Sequence, residues 1–374
     1  MSIEIREVLT KKDRKRFIHL PEKIHAGHAN WVHPIYMDEK KYFDPRKSKP
    51  FEYCAVALWM AWRDGRPVGR IMGIVNRRFN EYRNVKIGRF GYLEAYEDRD
   101  VVSALLAKVE DWARGQGMTR IIGPYGFSDQ DPEGYLIEGF GNRATIATYY
   151  NFEWLPGLIE SAGYAKDIDY FVYKIPVPKE MPELYTKIFE RIQRRGNFVL
   201  HEFNRRKDLK PWIVPIFSLM NECYVNSNIY GYAPLSETEM EELAKRYLPV
   251  VDPRFVKAVT KDGQVASFVI AMPDMTEGIQ KARGRLLPLG FLKILKAART
   301  SKQLDLLLGA IKESYRGVGL DAMMGYAMFR SANAAGMEFM DTHHEMESNE
   351  RVRAEMTRQG GVLYKKFRVW TKPL

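Results

Sequence analysis

Cysteine is nearly absent: Cys54 and Cys223 are the only two in 374 residues. They lie far apart, without a Cys-x-x-Cys pair or a Cys/His ligand spacing, so neither a disulfide framework nor a structural zinc site is expected. Long apolar runs are missing too. No uninterrupted apolar stretch approaches the ~18 residues that a membrane-spanning helix needs. The opening Met1-Ser2-Ile3-Glu4-Ile5-Arg6 lacks the apolar centre of a signal peptide. Low-complexity tracts and Gly/Ser linkers do not occur. These absences leave the expectation of a cytoplasmic protein, with peripheral attachment to the inner membrane face as its membrane alternative, and with no metal.

What is present is the composition of a folded chain, with 45% hydrophobic and 13% aromatic residues and length enough for two domains of ordinary size. The formal net charge is +11, which favours an anionic partner: a phosphate-bearing small molecule, an acidic bilayer or a nucleic acid. No zinc-finger spacing or RNA-recognition signature accompanies the charge, so sequence-specific nucleic-acid binding is not the expectation.

The two halves follow one order: hairpin, strand, helix, strand, helix, strand. Cys54 to Trp62 and Pro67 to Val75 are apolar runs around Asp64-Gly65, a strong hairpin signal. A strand from Ile87 to Leu93 follows, then a helix with Val102, Leu105, Leu106, Val109 and Trp112 on one face, then the strand Arg120-Ile-Ile122. The second half has strands Phe255 to Thr260 and Val265 to Met272 around Asp262-Gly263, then Leu304 to Gly309, a helix bearing Leu320, Met323, Met324, Ala327 and Met328, a strand Glu338 to Asp341, and a short helix from Asn349. Pro176, Pro178 and Pro182 cluster between the halves as a stiff connector. The expected division is 1–177 and 178–374.

A Gly-containing loop that opens a helix presents unpaired N–H groups and a positive helix end to an anion. In the second half that junction reads Arg316-Gly317-Val318-Gly319-Leu320 and resembles the acetyl-CoA loop of GNAT acyltransferases, Arg/Gln-x-x-Gly-x-Gly/Ala, with Asp321 in place of the usual last small residue. The resemblance implies a mixed, mostly antiparallel central sheet flanked by helices in each half, an α/β (α+β) tandem arrangement. It also implies acyl-CoA as co-substrate, no metal, oxyanion donors from the preceding strand at Leu308, Gly309 and Ala310, and Asn349 opening the short helix. The equivalent junction of the first half, Glu94 to Asp100, has carboxylates and no glycine, which marks that lobe as a degenerate copy.

Freeing an amine for attack on a thioester needs a base. Asp341-Thr-His343-His344-Glu345-Met-Glu347 crowds such groups at a strand end, with Glu347 the first choice and His344 the second. Many GNAT enzymes carry a thiolate-protonating Tyr about seven residues after the Asn; Met356 stands there in this chain. Arg283 to Arg299 brackets apolar residues with cations and is suited to an anionic bilayer or to a core-facing helix.

Trp31-Val-His-Pro34, Lys49-Pro-Phe51, Gly69-Arg70-Ile71, Gly123-Pro124, Gly134 to Phe140, Leu287-Pro-Leu-Gly290 and Glu347-Ser-Asn349 together resemble the bacterial ceramide synthase-like branch of GNAT proteins over nearly the whole chain. That resemblance implies N-acylation of a long-chain amine such as a sphingoid base. The competing readings are a tRNA-dependent aminoacyl transferase of the tandem-GNAT cell-wall type, a small-molecule N-acetyltransferase, and a non-catalytic acyl-CoA-binding protein.

Overall fold

The computed structural model describes residues 2–374, so Met1 of the opening segment lies outside it. The first half runs β1 (Glu4–Glu7), α1 (Lys11–Ile24), α2 (Tyr36–Tyr42), β2 (Cys54–Arg63), β3 (Arg66–Asn76), α3 (Arg77–Arg83), β4 (Ile87–Ala95), α4 (Arg99–Gly115), β5 (Arg120–Gly123), β6 (Tyr135–Glu138), α5 (Leu155–Ser161) and β7 (Ala165–Pro176). The second runs α6 (Glu183–Arg195), β8 (Val199–Glu202), α7 (Ile213–Asn226), α8 (Glu237–Tyr247), β9 (Val256–Lys261), β10 (Gln264–Pro273), α9 (Thr276–Ala282), α10 (Gly290–Thr300), β11 (Gln303–Ile311), α11 (Leu320–Ala334), β12 (Phe339–Asp341), β13 (Glu345–Met346), α12 (Glu350–Arg358) and β14 (Val362–Pro373).

Both halves are organised by hairpins whose turns are chemically specified. Asp64 and Gly65 take φ of 50° and 73°, and Asp262 and Gly263 take 49° and 78°. Two successive positive φ values make the turn whose twist matches the flanking strands, and Asp-Gly tolerates it. A third strand then adds antiparallel, β4 on β3 and β11 on β10. A helix crosses over to return a parallel fourth, β5 beside β4 and β12 beside β11.

The crossover helices bury the faces that their periodicity predicts. Val102, Leu105, Leu106 and Val109 of α4 are fully inaccessible. The helix lies close on the sheet because β3 carries Gly69, where a Cβ would fall 2.9 Å from Leu105 Cδ1. On α11, Leu320, Met323, Ala327 and Met328 are buried in the same way.

Strand order across the sheet is β1-β2-β3-β4-β5-β14-β7-β12-β11-β10-β9-β8, with β6 pairing β14 and β13 pairing β7. The closing strands have traded places. β7, which ends the first half, pairs with β12 and β13 of the second. β14, which ends the second, pairs with β5 and β6 of the first. The two are antiparallel to each other from Val362 opposite Lys174 to Thr371 opposite Ala165. In space, each half therefore takes its closing strand from the other.

Candidate active site

A wedge-shaped opening forms where β11 and β12 part. Their parallel register runs Gln303 to Phe339, Leu304 to Met340 and Asp305 to Asp341, and stops there. Beyond it His343 turns the chain with φ 58°, and β13 pairs with β7 instead of β11. From Leu306 onward β11 therefore has a strand only on its β10 side. In that register Ile270 faces Leu308 and Ala271 faces Leu306, so Leu307 is an extra residue on β11, a bulge at the mouth of the wedge. A bulge of this kind re-aims local backbone groups and breaks up pairing. Leu308, Gly309 and Ala310, the expected oxyanion donors, follow it directly.

The loop that leaves β11 ends at an uncapped helix. Gly317 and Gly319 take φ of 80° and 102°, and Gly319, the N-cap of α11, supplies no side chain to the first-turn N–H groups. Cations surround it. A Cβ on Gly317 would lie 3.4 Å from the Arg351 guanidinium, and one on Gly319 would lie 3.8 Å from that of Arg191. Arg316 donates to Ser227 Oγ at 3.0 Å and to the Ile311 carbonyl at 3.3 Å. Lys187, Arg191, Arg194 and Arg195 carry further cations along α6, where Lys187 pairs with Glu183 and Arg194 with Glu190.

In the first half the same junction is closed. Asp98 Oδ1 accepts from Asp100 N and Val101 N, each at 3.1 Å, and so occupies the donors that begin α4. Arg63 in turn pairs with Asp98 at 2.5 Å. An anion there would meet a carboxylate already in place.

The residues expected to handle protons and those expected to grip the cofactor share this region, but in different environments. Glu347 sits at the strand end, where Lys166 Nζ donates to it at 2.6 Å and Asp169 N at 3.1 Å. His344 stacks against Tyr170 and packs on Phe367, with ring centroids 5.2 and 4.4 Å away. Its Nε2 is buried without a hydrogen-bond partner. Burial first, then the positive charges of His343 and Lys365, hold its proton affinity far below the usual histidine value. Asn349 is the N-cap of α12, yet its side chain makes no capping bond and stays available. Arg316, Gly317, Val318, Gly319 and Leu320 form the loop, with Val318 40% exposed.

Two features had no reading in the sequence. Tyr224 of α7 reaches the wedge, its hydroxyl lying against the Gly309 backbone. No pattern in the apolar α7 singles out that tyrosine. The other is a set of enclosed acids on the lobe boundary. Asp129 and Glu345 both act on the Tyr224 hydroxyl, and Glu133 lies beyond them beside Tyr125 and Tyr170. Burial pushes Asp129 up to about 7 and Glu345 up to about 8, and holds Glu133 well above the carboxylate range.

These shifts set a pH dependence of stability. The fold keeps Glu345 and Asp129 protonated at pH values where the unfolded chain, with ordinary carboxyl groups near about 4, has them ionised. Their contribution is complete below the unfolded value and is lost as pH rises through 7 and 8. The depressed histidines His19, His28, His33 and His344 act in the opposite sense, at and below the ordinary histidine value of about 6.5. Between about pH 6.5 and 8.5 the carboxyls therefore govern, and the melting temperature should fall by several degrees. Glu345→Gln should flatten that slope; an unchanged slope in the variant would remove Glu345 from the account.

A cleft of about 340 Å³ lined by Lys174, Asp274, Gln303, Phe339, Tyr364 and Lys365 lies at the opposite end of the β11–β12 pair, away from the wedge. Among the described residues no group of three His, Cys, Asp or Glu is placed to hold a metal ion, and no helix is long and apolar enough to cross a membrane.

Paired sheets that each open at a parallel strand pair, with a helix crossing over at that point, form the tandem GNAT fold. Residues 23–125 match the acetyltransferase (GNAT) family. That match, together with the tandem fold, supports acyltransferase activity. It is similar to a bacterial ceramide synthase of Caulobacter vibrioides, 28% identical over 98% of this chain and 96% of that protein. It is also similar to protein YghO of Escherichia coli, 21% identical over 99% of this chain and 95% of that one. Among solved structures, a tandem GNAT protein from the clavulanic acid biosynthesis pathway superposes with a TM-score of 0.57 at 12% identity, covering all of this chain and 98% of the other. The family match falls on the half whose helix terminus is closed by Asp98, so it identifies the fold of that half and leaves the anion site to be argued from the other.

Proposed function

We propose that this protein transfers a long acyl group from acyl-CoA to the nitrogen of a long-chain amine, on the second half of the chain and at a membrane surface. The observation that supports the reading is an apolar cluster that runs from α9 and α10 to the edge of the wedge. Met272, Met275, Ile279 and Ile294 form one buried cluster beneath α9 and α10, and Leu307, the bulged residue of β11, packs against it. A chain laid against this cluster would bring its end to the point where β11 and β12 part. The name of the Caulobacter relative, a ceramide synthase, agrees with an acceptor of this class.

Acyl-CoA would place its pyrophosphate on the N–H groups from Arg316 to Leu320, with Asn349 beside it and the α6 cations along its anionic tail. The thioester carbonyl would lie in the wedge, where, of Leu308, Gly309 and Ala310, the amide of Gly309 points away from β10 and can meet the developing oxyanion. Tyr224 offers a hydroxyl to the departing thiolate, the role that Met356 cannot fill. Glu347 and His344 enter as acceptor-side residues. Glu347 is engaged by Lys166 and would have to release that pair to act as a base.

The surface beside the cluster supports the membrane. Leu287, Leu289, Phe291, Leu292 and Leu295 are 75%, 61%, 42%, 49% and 44% exposed, while only Gly290 and Ile294 of α10 are buried. So large an apolar face on one short segment is a docking surface rather than scattered exposure. Lys293, Lys296 and Arg299 rise from the same helix, and each adds on the order of 1 kcal/mol to binding at an anionic surface. Sedimentation with vesicles of anionic phospholipid should fall steeply as salt rises, and reversing all three charges should cost roughly 100-fold in partitioning. Equal sedimentation with neutral and anionic vesicles would detach the membrane from the proposal. The transfer itself is tested by mass spectrometry of products from a panel of acyl-CoAs and amines.

A further inference from the structure

We propose that the cleft at the paired end of β11 and β12 binds a phosphate-ester group, held by Lys365, Lys174 and Arg143. It is a second site, and it does not rest on acyl transfer.

The cleft holds about 340 Å³, room for a small phosphorylated molecule or a lipid head group. Its walls come from separate parts of the chain. Lys174 lies on β7 and Lys365 on β14, and Lys365 stands opposite Val172, so the two lysines rise from one face of the sheet. The loop after β6 supplies Arg143, and Asp274, α9, the end of α10 and the start of β11 close the other side. That loop lies tightly over β14 because Gly139, at φ 96°, has no side chain: a Cβ there would fall 3.0 Å from Lys365 Cγ.

Lys365 carries the inference. Its side chain is 3% exposed and lines the cleft, yet among the described residues its ammonium makes no hydrogen bond. The carboxylate oxygen that faces it, Asp341 Oδ2, is 3.8 Å away, too far for one. Asp341 is satisfied by others: Oδ1 accepts from His343 N at 2.7 Å, and Oδ2 accepts from the Tyr364 hydroxyl. Asp305, opposite Asp341, accepts from Gln303 Nε2 at 2.6 Å. Burial first, then the Asp341 charge, keep Asp305 protonated, and its Oδ2 has no hydrogen-bond partner, Lys365 included. A buried ammonium with three idle donors is costly until something enters the cleft to take them.

The rest of the wall agrees on the sign of that partner. Among the described residues Arg143 makes neither a hydrogen bond nor an ion pair, and Lys174 holds its Nζ 3.8 Å from the centre of the Phe339 ring without an ion pair. The acids are engaged. Asp274 Oδ1 accepts from Thr276 N and Oγ1 at 2.9 and 2.6 Å, and Glu277 pairs with Lys281. Unused donors and positive charge therefore converge from the loop, β7 and β14. A planar carboxylate offers two oxygens on one side, whereas a tetrahedral phosphate offers acceptors toward all three. Soluble phosphate esters and lipid head groups share this chemistry. Thr300, in the cleft wall, lies about 7 Å along α10 beyond the exposed Leu295, so the cleft adjoins the apolar face of that helix.

Calorimetry on the full-length protein at fixed ionic strength tests the site, with glycerol 3-phosphate, glycerol, and dihexanoyl phosphatidic acid below its aggregation limit. The phosphates should bind and glycerol should not. Arg143→Ala, which removes a half-buried side chain with no partner to lose, should weaken phosphate binding by about tenfold or more, and Lys365→Met should weaken it further. Acyl-CoA affinity should stay as it was in both. Phosphatidic acid bound about tenfold tighter than glycerol 3-phosphate identifies a membrane head group as the occupant, and equal affinities identify a soluble ester. Binding of neither phosphate to the unsubstituted protein overturns the proposal. So does undiminished binding in Arg143→Ala, whatever becomes of the Lys365 variant, and loss of that binding in Val318→Glu would then put the phosphate at the α11 loop.

Discussion

Val318→Glu should weaken acyl-CoA binding by more than about 100-fold, measured by calorimetry on the full-length protein. Val318 lies between the two positive-φ glycines with its side chain 40% exposed, so a glutamate there enters neither a packed core nor a forbidden backbone conformation. It places a carboxylate at the open end of α11, where the pyrophosphate would sit. At about 4 Å and an effective dielectric near 20, one such repulsion is worth roughly 4 kcal/mol, and about 1.4 kcal/mol is a factor of ten. Gly319→Glu should lose binding as well but separates less cleanly, because its Cβ would fall 2.8 Å from Ile188 and 3.2 Å from Ile192 on α6. Asp98→Ala is the matching control. It removes a helix cap worth about 1 kcal/mol of stability and should leave acyl-CoA affinity alone. Unchanged affinity in Val318→Glu together with a loss in Asp98→Ala would move the cofactor to the first half, where the family match lies.

Lengthening the acyl chain or the amine by four carbons should improve kcat/KM by roughly two orders of magnitude while the added methylenes are taken out of water against the apolar cluster, since each is worth about 0.8 kcal/mol. The apolar cluster has a definite extent: Met272, Met275, Ile279 and Ile294 are buried together, and Leu307 carries the contact to the wedge. The gain should stop where the chain outgrows it. A panel in which acetyl-CoA with a small polyamine outperforms palmitoyl-CoA with a sphingoid base would replace the lipid reading with a small-molecule N-acetyltransferase.

The parts of this fold that the sequence discloses are those set by neighbours along the chain. Asp64-Gly65 and Asp262-Gly263 announce their turns because few residue pairs accept two positive φ values. The α4 stripe declares its helix because its apolar residues recur with the helical period. Gly317 and Gly319 declare the loop for the same kind of reason. What stays hidden is decided by partners far away. The distance from Asn349 puts Glu347 at the strand end, but the ion that holds it, Lys166, lies 181 positions earlier in the chain. The bulge at Leu307 exists only in the pairing of β11 with β10. Tyr224 and the acids of the β5–β6 loop meet through elements from both halves, and no spacing within either half predicts that they do.

The traded strands also govern how such a chain can come to be folded. β14 is synthesised after the thirteen other strands, yet its place is the middle of the sheet, between β5 and β7. Until it arrives, β5 has an open edge and β7 lacks its longest partner, so neither half can be finished while the chain emerges. Pairings this distant in sequence form slowly and leave strand edges exposed in the interval. The same stitching makes the finished molecule hard to take apart, because drawing the halves away from each other means stripping a strand out of each. A site beside that seam rests on strands that neither half can finish alone, and a cell that makes it must protect the unfinished sheet until β14 is in place.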